Sequence, residues 1–147
     1  MRKQEQRLWD RMRHCLKDKV YLERMENVVK PGRPDIDALW EGVCIPIELK
    51  SLQQYPQRAT TAVLGGKGLN QNQLNWWLQW RRWGGRGLIL IGIANDLLIV
   101  PAAYSDEVNT FTQSQLNEYQ GQWLDVLNAI KQESQCVRNR WLISAPR

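Results

Sequence analysis

The chain has 147 residues, 43% of them hydrophobic and 24% charged, with eight tryptophans and a formal net charge of +5. That length supports one hydrophobic core and is short for two ordinary ones. No apolar run approaches the roughly 20 residues of a bilayer span, and the start Met1-Arg2-Lys3-Gln4 leads into no signal-type apolar core. Cys15, Cys44 and Cys136 lack CxxC spacing, which argues against a zinc site and for a reduced interior.

The first predicted element is a helix from about Lys3 to Lys17, because Glu5, Leu8, Trp9, Met12, Cys15 and Leu16 share one stripe at helical spacing. Glu5 at the end of that stripe is either a first-turn partner of the helix dipole or a carboxylate aimed inward. A strand follows from Val20 through Val28-Val29 and enters the turn Pro31-Gly32-Arg33-Pro34. Residues 1–33 carry ten basic side chains against five acidic ones, which is the whole net excess of the chain. A basic face of that kind suits a phosphate backbone.

Asp35–Trp40 reads as the next strand, and Glu41-Gly42 as the turn that folds Val43–Lys50 back antiparallel to it. Alternation along the latter strand puts Val43, Ile45, Ile47 and Leu49 on one side and Glu48 and Lys50 on the other. Asp35 or Asp37 then comes near Glu48. Two carboxylates and a lysine on adjacent strands are what metal-assisted phosphodiester hydrolysis needs. A hard cation such as Mg2+ takes carboxylate oxygens and keeps waters, while a lysine orients the attacking water or offsets charge on the phosphate. Pro46 lacks the N–H of a ladder bond, so the strand is expected to be bulged or edge-like there.

Residues 51–68 form a long polar connection, either a flap over a substrate with Arg58 and Lys67 on phosphates, or a mobile surface loop. Asn70 is a candidate N-cap with Gln73 at capping-box spacing, so Gln73 is either a cap or a site residue. Gln73, Trp76, Trp77 and Trp80 share a helix face, continued by Trp83 before Gly84-Gly85, which serves either as core or as a base-stacking platform. Arg81, Arg82 and Arg86 cluster beyond it as candidate phosphate contacts. Leu88–Ala94 is an apolar run expected of a strand covered on both faces. Asn95-Asp96 reads as a turn, and Leu97–Val100 as the returning strand. From about Gln113 to Glu133, Leu116, Tyr119, Trp123, Val126, Leu127 and Ile130 predict one amphipathic helix, which covers the sheet or pairs with its copy. Val137–Ile143 reads as a last short strand or an arm.

Four of these elements together resemble the PD-(D/E)xK nuclease superfamily, and within it the virus-type replication-repair nuclease (VRR-NUC) domain, a relative of archaeal Holliday-junction resolvases. They are Glu5 on the first helix, Gly32-Arg33-Pro34-Asp35-Ile36, Ile47-Glu48-Leu49-Lys50, and Leu69-Asn70-Gln71-Asn72-Gln73 opening the next helix. The resemblance covers about residues 1–100. It implies an α/β fold with a restriction-endonuclease-like core, a mixed sheet flanked by helices, here with an extra C-terminal amphipathic helix. Residues 1–104 would be the nuclease core and 105–147 a helical extension of the same domain. It further implies Asp35, Glu48 and the Leu49 carbonyl as ligands of Mg2+, with Mn2+ as a substitute. Lys50 would be the catalytic lysine, Glu5 an additional carboxylate with Glu26 as the alternative, and Gln73 a polar residue facing the site. Arg33, Arg58, Lys67, Arg81 and Arg82 would contact DNA.

The function so implied is a Mg2+-dependent endonuclease for branched DNA such as Holliday junctions and forks, acting as a homodimer in the cytoplasm of a bacterial or phage-infected cell. Two alternatives stay open. One is a sequence-specific endonuclease of the homing or restriction kind; the other is a DNA-binding subunit that keeps the fold without turnover.

Overall fold

Leu8, Trp9, Met12 and Leu16 are all buried along one side of α1 (Lys3–Leu16), the first element of the computed structural model. The structure describes residues 3–26 and 30–144. Strand β1 (Tyr21–Arg24) ends earlier than its sequence suggests, and Asn27, Val28 and Val29 lie outside the described residues. Just past it, the Met25 N–H donates to the Asp35 carbonyl at 2.7 Å, which holds the entry to β2 (Ile36–Trp40). Glu41 and Gly42 both take positive φ, 49° and 83°, the two-residue hairpin geometry that matches strand twist. Strand β3 (Val43–Leu52) returns antiparallel, with Ile36 opposite Ile47 and Asp37 opposite Pro46.

Helix α2 (Gln71–Arg82) carries the chain across the sheet, so that β4 (Leu88–Ile93) lies parallel to β3. Parallel neighbours need such a crossover. Strand β5 (Asp96–Pro101) pairs antiparallel with β4, and the short β6 (Gln120–Gly121) closes a six-stranded mixed sheet whose order follows the chain. The turn between β4 and β5 falls at Ala94-Asn95, one residue before the expected Asn95-Asp96. Asp96 is drawn into the strand, its carboxylate accepting from Tyr55 Oη at 2.8 Å and from Gln120 Nε2 at 2.9 Å.

Both faces of the sheet are covered, which makes the molecule α/β. One face carries Ile45, Ile47, Leu49, Leu88 and Leu90 under α1 and the C-terminal helix; the other carries Ile89, Ile91, Leu98 and Val100 under α2. The apolar run of β4 is thereby explained. The Glu48 side of β3 is therefore interior too, roofed by α2, with residues 45 through 49 all buried. Pro46 does not break β3. Its carbonyl lies on the Gly87 side, and its missing N–H falls on that side as well, before the β3–β4 register begins at Ile47 opposite Leu88.

The C-terminal region corrects the single expected helix. The chain forms α3 (Gln113–Asn117), then β6, then α4 (Trp123–Ser144). The apolar stripe is shared between two helices because residues 120 and 121 leave the helical path to pair with Leu98 and Leu97. A Cβ on Gly121 would stand 2.9 Å from Ile99 Cδ1, so glycine permits that approach. The expected strand or arm at 137–143 is instead the continuation of α4, which packs on β2, β3 and α1. The segment 51–68 is also less open than a flap. Strand β3 runs on to Leu52, Val63 and Leu64 are buried, and the Val63 N–H donates to the Phe111 carbonyl at 2.9 Å. No helix among the described residues is long and apolar enough to cross a membrane.

Candidate active site

Strand β3 is ten residues long and β2 only five, so past Ile47 the β2 side of β3 opens. Asp35, one residue before β2, fills the start of that opening: the Leu49 N–H donates to its Oδ2 at 2.9 Å. N–H and C=O of one strand residue point the same way, so the Leu49 carbonyl faces the opening beside Asp35. Glu48, on the α2 side, is 2% exposed.

Helix α2 reaches the same point through its first turn. Asn70 and Gln73 form a capping box: the Gln73 N–H donates to Asn70 Oδ1 at 2.9 Å, and the Asn70 N–H to Gln73 Oε1 at 3.0 Å. The same Gln73 amide also donates from Nε2 to Glu48 Oε1 at 3.0 Å and accepts from Lys50 Nζ at 3.1 Å. Cap and site contact, alternatives in the sequence, are therefore one side chain. Lys50 Nζ stands 3.9 Å from Glu48 Oε1, so the amide rather than direct pairing sets the spacing between lysine and carboxylate.

Burial, first, and then the adjacent Asp35 carboxylate push the Glu48 carboxyl well above its ordinary pKa; Lys50 opposes this and Glu5 adds to it. Glu5 thus acts on the site from α1, and it is half-buried. Glu26 is engaged elsewhere, 3.9 Å from Arg24 with an exposed side chain. Among the described residues, no three acidic, histidine or cysteine side chains converge into a metal-holding cluster. The donor set that does converge is smaller: Asp35, Glu48 and the Leu49 carbonyl. It suits a hard cation that uses one or two carboxylates and retains waters. Glu48 Oε2 supports that fit, being buried without a hydrogen-bond partner among the described residues.

Asp37, the other acid considered for the site, is held away from it. It sits opposite Pro46 and pairs with Arg33 Nη2 at 2.5 Å. Arg33 also lies over the Trp76 ring, 5.8 Å from its centroid. Arg58 and Lys67 are exposed on the connection before α2. Arg81 and Arg86 are ion-paired within the chain, Arg81 with the exposed Asp106 at 2.8 Å and Arg86 with the buried Glu133 at 2.5 Å. Arg82 is exposed, about 13 Å along the helix axis from Gln73 at 1.5 Å per residue.

Two features escaped the sequence reading. Asn109 clasps Leu69, its Oδ1 accepting from the Leu69 N–H and its Nδ2 donating to the Leu69 carbonyl, both at 2.8 Å, and so anchors the approach to the Asn70 cap. Only the long-range fold brings them together. A cleft of about 620 Å³ lies past Lys50, lined by Ser51 and Gln53 on one side and by Arg7 and Arg11 of α1 on the other. The charge bias of residues 1–33 was its signal.

No protein-family model and no curated protein matches this chain. Among solved structures it is similar to Hjc, a Holliday junction resolvase from the archaeal hyperthermophile Archaeoglobus fulgidus. The TM-score is 0.58 at 15% identity, over 83% of this chain and 98% of that one. At that identity the likeness is one of fold, a mixed sheet flanked by helices.

Proposed function

We propose that this chain is a metal-dependent DNA endonuclease of the PD-(D/E)xK superfamily, most like its VRR-NUC branch and selective for branched DNA such as Holliday junctions and forks. One observation carries the reading: Asp35, Glu48 and Lys50 meet at the open half of β3, with Gln73 bonded to both Glu48 and Lys50. Asp35, Glu48 and the Leu49 carbonyl would hold Mg2+, for which Mn2+ would substitute. Bound there, the ion would supply an activated water and charge stabilisation at the phosphate.

The protein's own groups have separate parts in the reaction. Asp35 is oriented by the Leu49 N–H, so its carboxylate is fixed before substrate arrives. Gln73 keeps Glu48 Oε1 and Lys50 Nζ apart, leaving the ammonium to face the scissile phosphate, where it orients the attacking water and offsets the charge that builds up as the P–O bond breaks. Glu5 adds negative charge from α1. Arg7 and Arg11 in the cleft past Lys50, with Arg33, Arg58 and Lys67, would track the phosphate backbone. Arg82 would contact only a duplex that extends along α2, and Arg81 would first have to leave Asp106. A four-way junction presents two equivalent strands, and a two-fold dimer of the chain would match them.

The test is cleavage of end-labelled linear duplex, single strand, fork and four-way junction with Mg2+, Mn2+ or EDTA. Metal-dependent cutting of the branched substrates is expected. Asp35→Ala, Glu48→Ala and Lys50→Ala should each lower the rate at least about 100-fold while leaving DNA affinity nearly unchanged. Full activity in any one of them would overturn its assignment. Discrete cuts in linear duplex would identify a sequence-specific enzyme, and binding without cutting a non-catalytic subunit.

A further inference from the structure

Helix α2 presents a second stripe, beside the one that faces the sheet. Asn72, Asn75, Trp76, Gln79 and Trp83 recur at positions three and four apart, and together with Trp80 they line one side of a groove of about 670 Å³. The other side is the turn carrying Lys30 and Arg33. That turn is seated hard against the helix: a Cβ on Gly32 would lie 2.1 Å from the Asn72 carbonyl oxygen.

The floor is aromatic. Trp76 and Trp80 stack with centroids 5.0 Å apart and planes at 20°, and Trp80 Nε1 donates to the Arg86 carbonyl at 2.9 Å, which fixes that ring. Trp83 stands at the open end, 83% exposed, where an indole has no packing role. Asn75, which lines the groove, accepts from Gln71 through Oδ1 at 2.9 Å. The lining holds two cationic side chains, Lys30 and Arg33, the latter paired with Asp37 at 2.5 Å. The lining is next in sequence to the candidate active site, since Asn72 precedes Gln73 and Arg33 precedes Pro34-Asp35.

We infer that this groove binds an unpaired nucleotide of the DNA substrate, its base stacked on Trp83 and edged by the Asn75 and Gln79 amides, its phosphate near Lys30 and Arg33. The inference rests on the proposed nuclease reading and sharpens it: the substrate feature recognised beside the scissile phosphate is a base out of its stack, such as a branch point exposes. Indole faces accept any base, so recognition is of unpairing rather than of sequence. A paired duplex offers no free base face to the groove and gains nothing from it.

The experiment measures, by fluorescence anisotropy in EDTA, the affinity of the full chain for a fully paired duplex and for the same duplex carrying a one-nucleotide bulge. Wild type should prefer the bulged DNA. Trp83→Ala should lose about tenfold on the bulged DNA and nothing on the paired duplex, Trp83→Phe should keep most of the preference, and Gln79→Ala should lose part of it. Equal losses on both DNAs, or none, would overturn the inference while leaving the nuclease reading intact. Failure of wild type to bind any DNA would overturn both. Wild type that sediments as a dimer while Trp83→Ala sediments as a monomer, with no change in bulge affinity, would assign the groove to a second copy of the chain and overturn the inference.

Discussion

Glu48 is an acid kept in the wrong place for its charge. It is buried, and the adjoining Asp35 favours its protonated form by charge and by hydrogen bonding, so it binds its proton more tightly in the folded chain than in the unfolded one. This contribution to stability is fully present below the ordinary carboxylate value and is lost as pH rises from there through the raised value. In EDTA, Glu48→Gln should therefore melt above wild type at about pH 8, and the gap should close toward about pH 4. A divalent cation should raise the melting temperature of wild type and not of the variant; thermal denaturation followed by circular dichroism checks both. Gln73 allows a second test at the same scale, because its amide caps α2 and also spaces Lys50 from Glu48. Asn70→Ala removes the cap alone and should cost about 1 kcal/mol. Gln73→Ala should cost a similar amount of stability and slow cleavage at least about tenfold beyond Asn70→Ala. Equal rates in the two variants would leave Gln73 a cap and nothing more.

Elements are placed around this site by close approaches that few residues permit. Gly32 has φ +83° and lies against the first turn of α2, so a side chain there is strained and also meets backbone. Gly32→Ala should lose more than about 1 kcal/mol in urea denaturation and lower cleavage, because the same turn delivers Asp35. Gly66→Ala, where a Cβ meets open space, is the control and should change neither. Two element boundaries show the limit of periodicity as a signal. The stripe Leu116 to Ile130 fits one helix, yet a two-residue strand divides it, because pairing with β5 satisfies backbone groups at 120 and 121 that local pattern cannot report. In the other direction, the flanking arginines of 137–143 concealed a helix. Arg138 pairs with Glu41 at 2.5 Å, tying α4 to the β2–β3 turn.

Across the whole molecule the net charge of +5 originates in residues 1–33, and the fold sets part of that excess, Arg7 and Arg11, over the cleft past Lys50. DNA affinity should accordingly fall steeply as salt rises. Arg7→Ala with Arg11→Ala should flatten the slope of log K against log salt by about 2, roughly one unit for each phosphate no longer neutralised, as measured by anisotropy titrations across salt concentrations. An unchanged slope would place the DNA elsewhere. The sequence alone determined what depends on neighbours along the chain: the buried stripe of α1, the Glu41-Gly42 hairpin, the alternation that sets Glu48 and Lys50 on one side of β3, the two-sided burial of β4, and the Asn70–Gln73 cap. Each follows from the 3.6 or 2.0 residue period of its own element or from the φ demanded of a single turn. The tertiary structure alone decided what depends on pairing at a distance. Asp35 meets Glu48 while Asp37 is held by Arg33, Gln73 joins cap to lysine and carboxylate, Asn109 clasps Leu69, and Arg81 and Arg86 are engaged with Asp106 and Glu133 while Trp83 is left outside. Periodicity tells a side chain which face of its element it occupies, but the register of strands and the packing of helices decide what that face meets.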